Sequence, residues 1–479
     1  MPAQSSLSEE CGGENAALLL LKFLKIRQEH KMCNCYIASV EIKMRPEVQA
    51  VVLAAGPGMR MTALTATSPK CLLPLATLPM LAFPLHLLQQ AGLEEATVVV
   101  AAGEEVRVSK VVEQCGLTIN VDSAPVNTST DPGTADSLRH ILHKIKRNVD
   151  DVVIVSSDLV TDVKLQDVLD FHRAHGSTLT ALTAPLTPPQ HQPAPGPKTK
   201  PFTSSDVMVT ESESGRLVLV VAGGDYDHTL TLPSVRSSKA PLLVSTSLLD
   251  AHLYIVKRSI LEQCLAKESA CQDMGSFKAE ILPYIVSRQF QPQNKEAGPD
   301  EDFESLVSQY NTSVVMSRHH TSASFSSITC YAYKHQGLCV RVNTIPTYWD
   351  INRRMYSLID KVLPGLSEPR RHPSAQIHEK AQVSEDSVVG AGTLVSEKTN
   401  ITSCVLASHC RVDPMARLSN SVLAHHTAIT SGCVVENSLV RASLNHKCVL
   451  KNCIVTDSSR IQEGKTYMNE ILEATPEFV

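Results

Sequence analysis

Short apolar runs alternate with amphipathic stretches along most of the chain. Val48 to Ala55 is mostly apolar and closes on Gly56-Pro57-Gly58, the pattern of a buried strand entering a tight loop. Leu81 to Gln90 carries apolar residues at helical spacing and stops at Gly92. Ala96 to Ala102 reads as a second buried strand, Ala135 to Lys146 as a helix, and Asp151 to Ser156 as a third strand leading to Asp158. Leu165 to His175 is a further amphipathic helix, followed by a strand from Ser177 to Ala184. Strands that alternate with helices predict an α/β domain built on a mostly parallel, Rossmann-type sheet covered on both faces.

Two segments interrupt this rhythm. Pro185 to Pro201 holds seven prolines and reads as a mobile loop, and Gln289 to Glu304, polar and acidic, reads as disordered. Between them Val207 to Val221 and Leu248 to Val256 predict strands, and Ser276 to Val286 a helix. Leu338 to Ile345 predicts a late strand, and Tyr356 to Leu363 closes the domain. The first domain is expected over residues 47–363, with a linker over 364–373.

Beyond the linker the period changes. Aliphatic residues recur every six positions at Ile377, Val383, Val389, Val395 and Ile401. After a slip the step resumes at Leu406, Val412 and Leu418, and again at Leu423, Ile429 and Val435. A cassette repeats as Asn420-Ser421-Val422-Leu423, Asn437-Ser438-Leu439-Val440 and Asn452-Cys453-Ile454-Val455, spaced by 17 and then 15 residues. One inward aliphatic per face of a triangular coil predicts a left-handed parallel β-helix over 374–464, followed by a tail over 465–479. Its hexapeptide repeats are degenerate, because glycines are sparse (Gly390, Gly392, Gly432, Gly464). Apolar rows on such coils are expected to stay exposed and to make the isolated chain prone to aggregate.

Composition narrows the class. Hydrophobic residues are 43% and charged residues 19% of the 479, ordinary globular values. A net charge of −5 leaves no basic footprint for direct nucleic-acid binding. Fourteen cysteines contain no C-x-x-C pair; the closest spacing is Cys33-Asn34-Cys35. They read as buried reduced thiols, which favours the cytosol. The apolar stretch Ala16 to Ile26 is too short to span a bilayer and follows Glu9, Glu10 and Glu14. Residues 1–46 are therefore read as an extension, disordered or artefactual, with Met44 just before the first strand. The pairs His319-His320 and His425-His426 read as exposed loop residues.

Chemistry gathers at the first loop. In Leu53-Ala54-Ala55-Gly56-Pro57-Gly58-Met59-Arg60-Met61, Gly56 and Gly58 let backbone amides approach a phosphate, and Arg60 can add charge-assisted contacts. Lys70, in Ser68-Pro69-Lys70, stands ten residues further on. The whole string resembles the signature of the sugar-phosphate nucleotidyltransferases. That resemblance implies a nucleotide pocket formed by Gly56, Gly58, Arg60, Lys70, Gly133, Thr134 and Asp136, the Gly133-Thr134-Ala135 string lying near the base. It further implies Asp158 as a first Mg²⁺ ligand and Asp350, in Trp349-Asp350-Ile351, as a second. Two carboxylates on separate strand ends would suit a hard cation bridging phosphates.

Other strings are similar to the gamma-subunit branch of translation initiation factor 2B. They are Asp131 to Arg139, Ser156-Ser157-Asp158-Leu159-Val160-Thr161-Asp162, and Asp250-Ala251-His252-Leu253-Tyr254. This second resemblance covers roughly residues 47–462 and implies a non-catalytic subunit of a guanine-nucleotide exchange factor. Such a subunit pairs with the catalytic epsilon subunit and the other subunits of that complex, and serves to reload translation initiation factor 2 with GTP. Asp136 stands where the enzymes carry a small residue, and Asn352 where they carry glycine, so no cofactor would be required and the metal pair would be vestigial. The alternative is an active Mg²⁺-dependent pyrophosphorylase that makes a nucleotide sugar, and Arg60, Lys70 and Asp158 keep it open.

Overall fold

The computed structural model describes residues 48–127, 133–186, 194–197, 206–223, 240–266, 268–290, 328–365, 369–457, 459 and 461–473. The N-terminal extension, His319-His320, residues 131–132 of the Asp131 string, and 291–304 of the acidic segment lie outside them.

The sheet strands are runs of Val and Ile that helices bury on both sides. In chain order the α/β elements begin with β1 (Val48–Leu53), α1 (Ala82–Gln90), β2 (Glu95–Ala101), α2 (Glu105–Gln114), β3 (Asn120–Val126) and α3 (Thr134–Ile141). Then come β4 (Asp151–Ser156), β5 (Leu159–Thr161), α4 (Leu165–Ala174), β6 (Leu179–Pro185), β7 (Val207–Glu211) and β8 (Leu217–Val221). The last are β9 (Leu242–Ser245), β10 (Leu248–Lys257), α5 (Arg258–Leu265), α6 (Leu282–Arg288), β11 (Cys330–Lys334), β12 (Cys339–Arg341) and α7 (Ile345–Val362). The main sheet runs β11-β6-β10-β4-β1-β2-β3, parallel except for β10, which is antiparallel to both neighbours. Leu85 and Leu88 of α1 pack with Val168 of α4 on one face, while Leu138 of α3 and Ile260 of α5 pack on the other. Two-sided cover explains why the strands lack polar alternation.

Several sequence expectations change. β3 carries Pro125 and sits at the sheet edge, where the missing N–H costs no ladder bond; its weak pattern hid it. Val207 to Val221 is not one strand but the antiparallel hairpin β7–β8. The strand predicted over Leu338 to Ile345 lasts only three residues, because Thr344 caps α7 and Pro346 occupies its first turn. Gln289, assigned to a disordered segment, is buried; its amide donates to Leu217 O at 2.8 Å and its oxygen accepts from Cys330 N at 2.9 Å. Part of the proline-rich loop is docked rather than free: Gly196 N donates to Asn452 O at 2.7 Å, and Ala194 packs against the coil.

The C-terminal region is a left-handed β-helix of three parallel sheets. Val389, Leu406, Leu423, Val440 and Val455 point inward on one face and are fully buried. The repeated asparagine of each cassette sits at a corner with positive φ, at 47° for Asn420 and Asn437 and 54° for Asn452, a conformation asparagine tolerates better than most side chains. These corner amides also join successive coils: Asn437 Nδ2 donates to Asn452 Oδ1 at 2.5 Å, and Asn452 Nδ2 to Asn469 Oδ1 at 3.1 Å. The helix is longer than predicted. Thr466–Met468 and Ile471–Leu472 complete its last coil, so the expected tail begins inside it. At the other end Arg370 and His372 already bond to Val389, within the expected linker.

One outward row is apolar. Val388, Val405, Val422, Leu439 and Ile454 are each at most 5% exposed. They share a core with Trp349, Met355 and Leu358 of α7 and with Met61, Leu64 and Leu73 of the signature segment. The expectation of bare apolar rows is therefore overturned, because the chain covers this row itself. The other two faces present residues such as Gln382, Arg417, Gln376 and Arg411.

Leu439 is buried between the two folds, so Leu439→Ala is expected to cost about 2–5 kcal/mol. Leu394→Ala, on an exposed face, is expected to stay within about 0.5 kcal/mol. Urea unfolding checks both, and equal effects would contradict a shared core.

Candidate functional site

The loop after β1 is shaped by Gly58. Its φ of +73° is left-handed, and an added Cβ would lie 2.7 Å from Thr65 Cγ2. Gly56 has open space around it, consistent with a backbone that a ligand could approach. The chain then makes a single helical turn at Thr62–Thr65 and returns through Pro69 to Lys70. Arg60 is exposed, and its charge reaches Lys70.

Asp158 lies just beyond β4, 1% exposed, and both its oxygens are taken by cations. Lys70 Nζ meets Oδ2 at 2.5 Å. Arg341, at the end of β12, donates from Nε to Oδ1 at 3.0 Å and from Nη2 to Oδ2 at 2.9 Å, the bidentate fork that carboxylates accept best. Two backbone bonds fix the position: Ser157 N donates to Leu53 O, and Val342 N to Asp158 O. Burial pushes the Asp158 carboxyl up, but Arg341 and Lys70 together outweigh it and hold the pKa well below the usual carboxylate range. Burial draws the Lys70 ammonium down, more than Asp158 raises it.

The Gly133-Thr134-Ala135 string is fastened by its neighbours. Ala135 N donates to Gly275 O at 2.9 Å, and Thr134 Oγ1 accepts from Phe277 N at 2.8 Å. A Cβ on Gly133 would fall 2.0 Å from Gly275 O. Asp136 caps α3: its Oδ2 accepts from Gly133 N at 3.3 Å, and its Oδ1 from Arg139 Nη1 at 2.6 Å. An acid in the first helical turn is favoured there by the helix dipole.

Asp350 departs from expectation. It is not at a strand end but inside α7, where Arg354 Nη1 donates to its Oδ2 at 3.0 Å. Among the described residues no hydrogen bond or ion pair joins it to Asp158, and no group of three His, Cys, Asp or Glu is arranged to hold a metal. The residues present therefore do not fit a two-aspartate Mg²⁺ site: both oxygens of Asp158 accept from cations, and Asp350 is buried on α7 with Oδ2 paired to Arg354.

Sequence reasoning missed Arg341, which no motif flags because it lies 183 residues from Asp158. It also quoted Asp250, His252 and Tyr254 only for resemblance. Asp250 is 1% exposed and accepts from Tyr254 Oη at 2.6 Å and His252 N at 2.9 Å. Burial holds its carboxyl above the usual range, more strongly than Lys278 and these hydrogen bonds lower it. The register of β10 against β6 shifts between Asp250 and Tyr254, and His252 there has a φ of +52°, a bulge that turns the imidazole out of the ladder. Burial, then the charges of Arg341 and Lys278, hold His252 well below its normal pKa.

Residues 49–192 match the nucleotidyl transferase family, and residues 369–472 match the GMPPB C-terminal domain. A second likeness is longer than the first. The chain resembles the gamma subunits of translation initiation factor eIF2B. The Caenorhabditis elegans protein of that name is 27% identical over 363 residues, which cover 72% of this chain and 79% of the relative. The Schizosaccharomyces pombe gamma subunit is 26% identical over 376 residues, covering 77% and 76%. A mannose-1-phosphate guanyltransferase from Candida albicans is 29% identical, but over 147 residues that make up 30% of this chain and 39% of the enzyme. The eleven described cysteines are free and buried. No helix among the described residues is long and apolar enough to cross a membrane.

Because the folded-state pKa of Asp158 is depressed, its stabilising contribution is fully present above the unfolded value of about 3.9 and fades as pH falls below it toward the folded value. Asp158→Asn is expected to lower stability at pH 7 by about 3–5 kcal/mol, since Arg341 keeps no carboxylate partner there. The same substitution should flatten the acid limb below about pH 4. Unfolding curves between pH 2 and 7 test this, and parallel acid limbs for the two proteins would contradict it.

Proposed function

We propose that the chain is a non-catalytic subunit of the guanine-nucleotide exchange factor complex of translation initiation factor 2B. In this reading it pairs with the catalytic epsilon subunit and the other subunits of that complex. It works in the cytosol and supports the reloading of translation initiation factor 2 with GTP. Its likeness to gamma subunits spans about three quarters of both chains, whereas the likeness to a guanyltransferase stays within 147 residues.

The observation that carries the non-catalytic part is the saturation of Asp158. Nucleotidyl transfer with loss of pyrophosphate relies on cations that neutralise the transferring phosphates, positioned by carboxylates with free lone pairs. Here Lys70 and Arg341 take both Asp158 oxygens, and Asp350, on α7 rather than at a strand end, has Oδ2 paired to Arg354 with no bond joining it to Asp158 among the described residues. The Gly56, Gly58, Arg60 and Lys70 loop, with Gly133, Thr134 and Asp136, remains as a nucleotide-like cradle that needs no cofactor. Asp136 supports this reading in a different way from that expected. As a helix cap tied to Arg139 it keeps α3 in place.

Incubation of the purified protein with GTP or ATP, Mg²⁺ and a panel of hexose 1-phosphates is expected to release no pyrophosphate above the protein-free rate. Sustained Mg²⁺-dependent release that Asp158→Asn abolishes would overturn this reading in favour of an active pyrophosphorylase.

A further inference from the structure

The segment from Met61 to Ala76 carries Lys70, and both of its flanks are fastened by parts of the chain far away in sequence. On the first flank the fastener is Arg441, the residue that follows the coil strand Leu439–Val440. Its Nη1 donates to Leu64 O at 2.6 Å, while Nε and Nη2 fork onto Asp457 at 2.9 and 2.7 Å. Thr67 Oγ1 donates to the same Asp457 carboxylate. One ion pair of the coil therefore grips the signature segment at two points shortly before Lys70. The Arg441 backbone is itself fixed, its N–H donating to Val455 O at 3.0 Å. On the second flank the fasteners belong to α7. Tyr348 Oη donates to Pro74 O at 2.6 Å, and Asn352 Oδ1 accepts from Ala76 N at 2.8 Å. Ala76 has a φ of +54°, a left-handed conformation that alanine adopts only at a cost, and the fully buried Asn352 amide secures it.

Between these anchors the Lys70 side chain is 13% exposed and paired with Asp158. A loop released from one flank opens on its own, and its lysine reaches solvent in the opened fraction. The fork of Arg441 on Asp457 is a charge-assisted pair of the stronger kind, and the Arg441 side chain is 10% exposed, so water competes weakly for it. We propose that Arg441, seated on Asp457, is a clamp by which the β-helix governs the signature segment, and that the clamp keeps Lys70 committed to Asp158. Arg441 is a positioning residue in this arrangement and acts on Lys70 through the backbone of residues 64–70. Control of the loop thus lies on the coil, and a ligand or partner that drew Arg441 or Asp457 away would release Lys70. The clamp does not depend on the exchange-factor reading, because its test follows the loop and not assembly.

Acetylation of the full-length protein by an N-hydroxysuccinimide ester, with the rate at Lys70 read by peptide mass spectrometry, tests it. Arg441→Met is expected to speed labelling of Lys70 at least about fivefold, as a charge-assisted anchor is lost. Amide exchange over residues 64–70 should quicken with it while β1 exchanges at the native rate. Arg441→Lys, which keeps the charge but not the fork, should fall between. Leu261→Ala, which opens a cavity under α5 on a different core, lowers overall stability and should leave Lys70 at the native rate. A folded Arg441→Met protein, judged by circular dichroism, whose Lys70 labels at the native rate would overturn the proposal. So would equal acceleration by Leu261→Ala, which would make the effect one of stability alone. Should Arg441→Met fail to fold, Asp457→Asn and Thr67→Val, both at exposed residues, carry the same test, and a native labelling rate in both would overturn it.

Discussion

The burial of one row of five aliphatic side chains organises the molecule. A β-helix coil closes its own interior, but an apolar outward row must find cover, and Val388, Val405, Val422, Leu439 and Ile454 find it on α7 and the signature segment. Each such side chain removed from water contributes about 1.5–3 kcal/mol, so the two folds are joined by core packing rather than by a hinge. The same contact reaches the site. Arg341 ends the strand just before α7, so docking α7 on the coil fixes where that arginine enters. From the coil side, Arg441 Nη1 donates to Leu64 O at 2.6 Å while its Nε and Nη2 fork onto Asp457. The loop that carries Lys70 is thereby held from both ends.

On this frame the signature loop is held by an ion cluster, Lys70 and Arg341 on Asp158. A transferase needs carboxylates that can take a metal, and a buried carboxylate is costly unless something pairs with it. Arg341 and Lys70 provide that pairing permanently. Removal of Asp158 would leave two buried cations without their shared carboxylate, so that residue is the one on which the cluster depends.

The sequence made the architecture legible where a short period repeats. Runs such as Val152 to Val155 announce buried strands, and the six-residue step announces a coil. It did less well where the signal is tertiary. The outward row lies at intervals of 17, 17, 17 and 15 residues, the same spacing as the asparagine cassettes, yet only the inward row was read as core. Periodicity shows that a position is apolar but not what covers it. β3 went unread because an edge strand tolerates Pro125 and polar residues. Of the site, Gly58 and Lys70 were legible from the loop, and Asp158 from its strand end. Asp350 misled because a tryptophan-aspartate string looks alike in a helix and at a strand end. Arg341 carried no local mark at all; only the β5–β12 pairing brings it to Asp158.

The proposed function makes this chain a partner in assembly rather than a catalyst. Native isolation of the tagged full-length protein from its own cells, with the mass and composition of the recovered complex measured, addresses it most directly. The account predicts a heteromeric assembly containing a larger homologous subunit that carries its own nucleotidyltransferase-like domain and β-helix. Recovery of the chain only as a monomer or as copies of itself would contradict it.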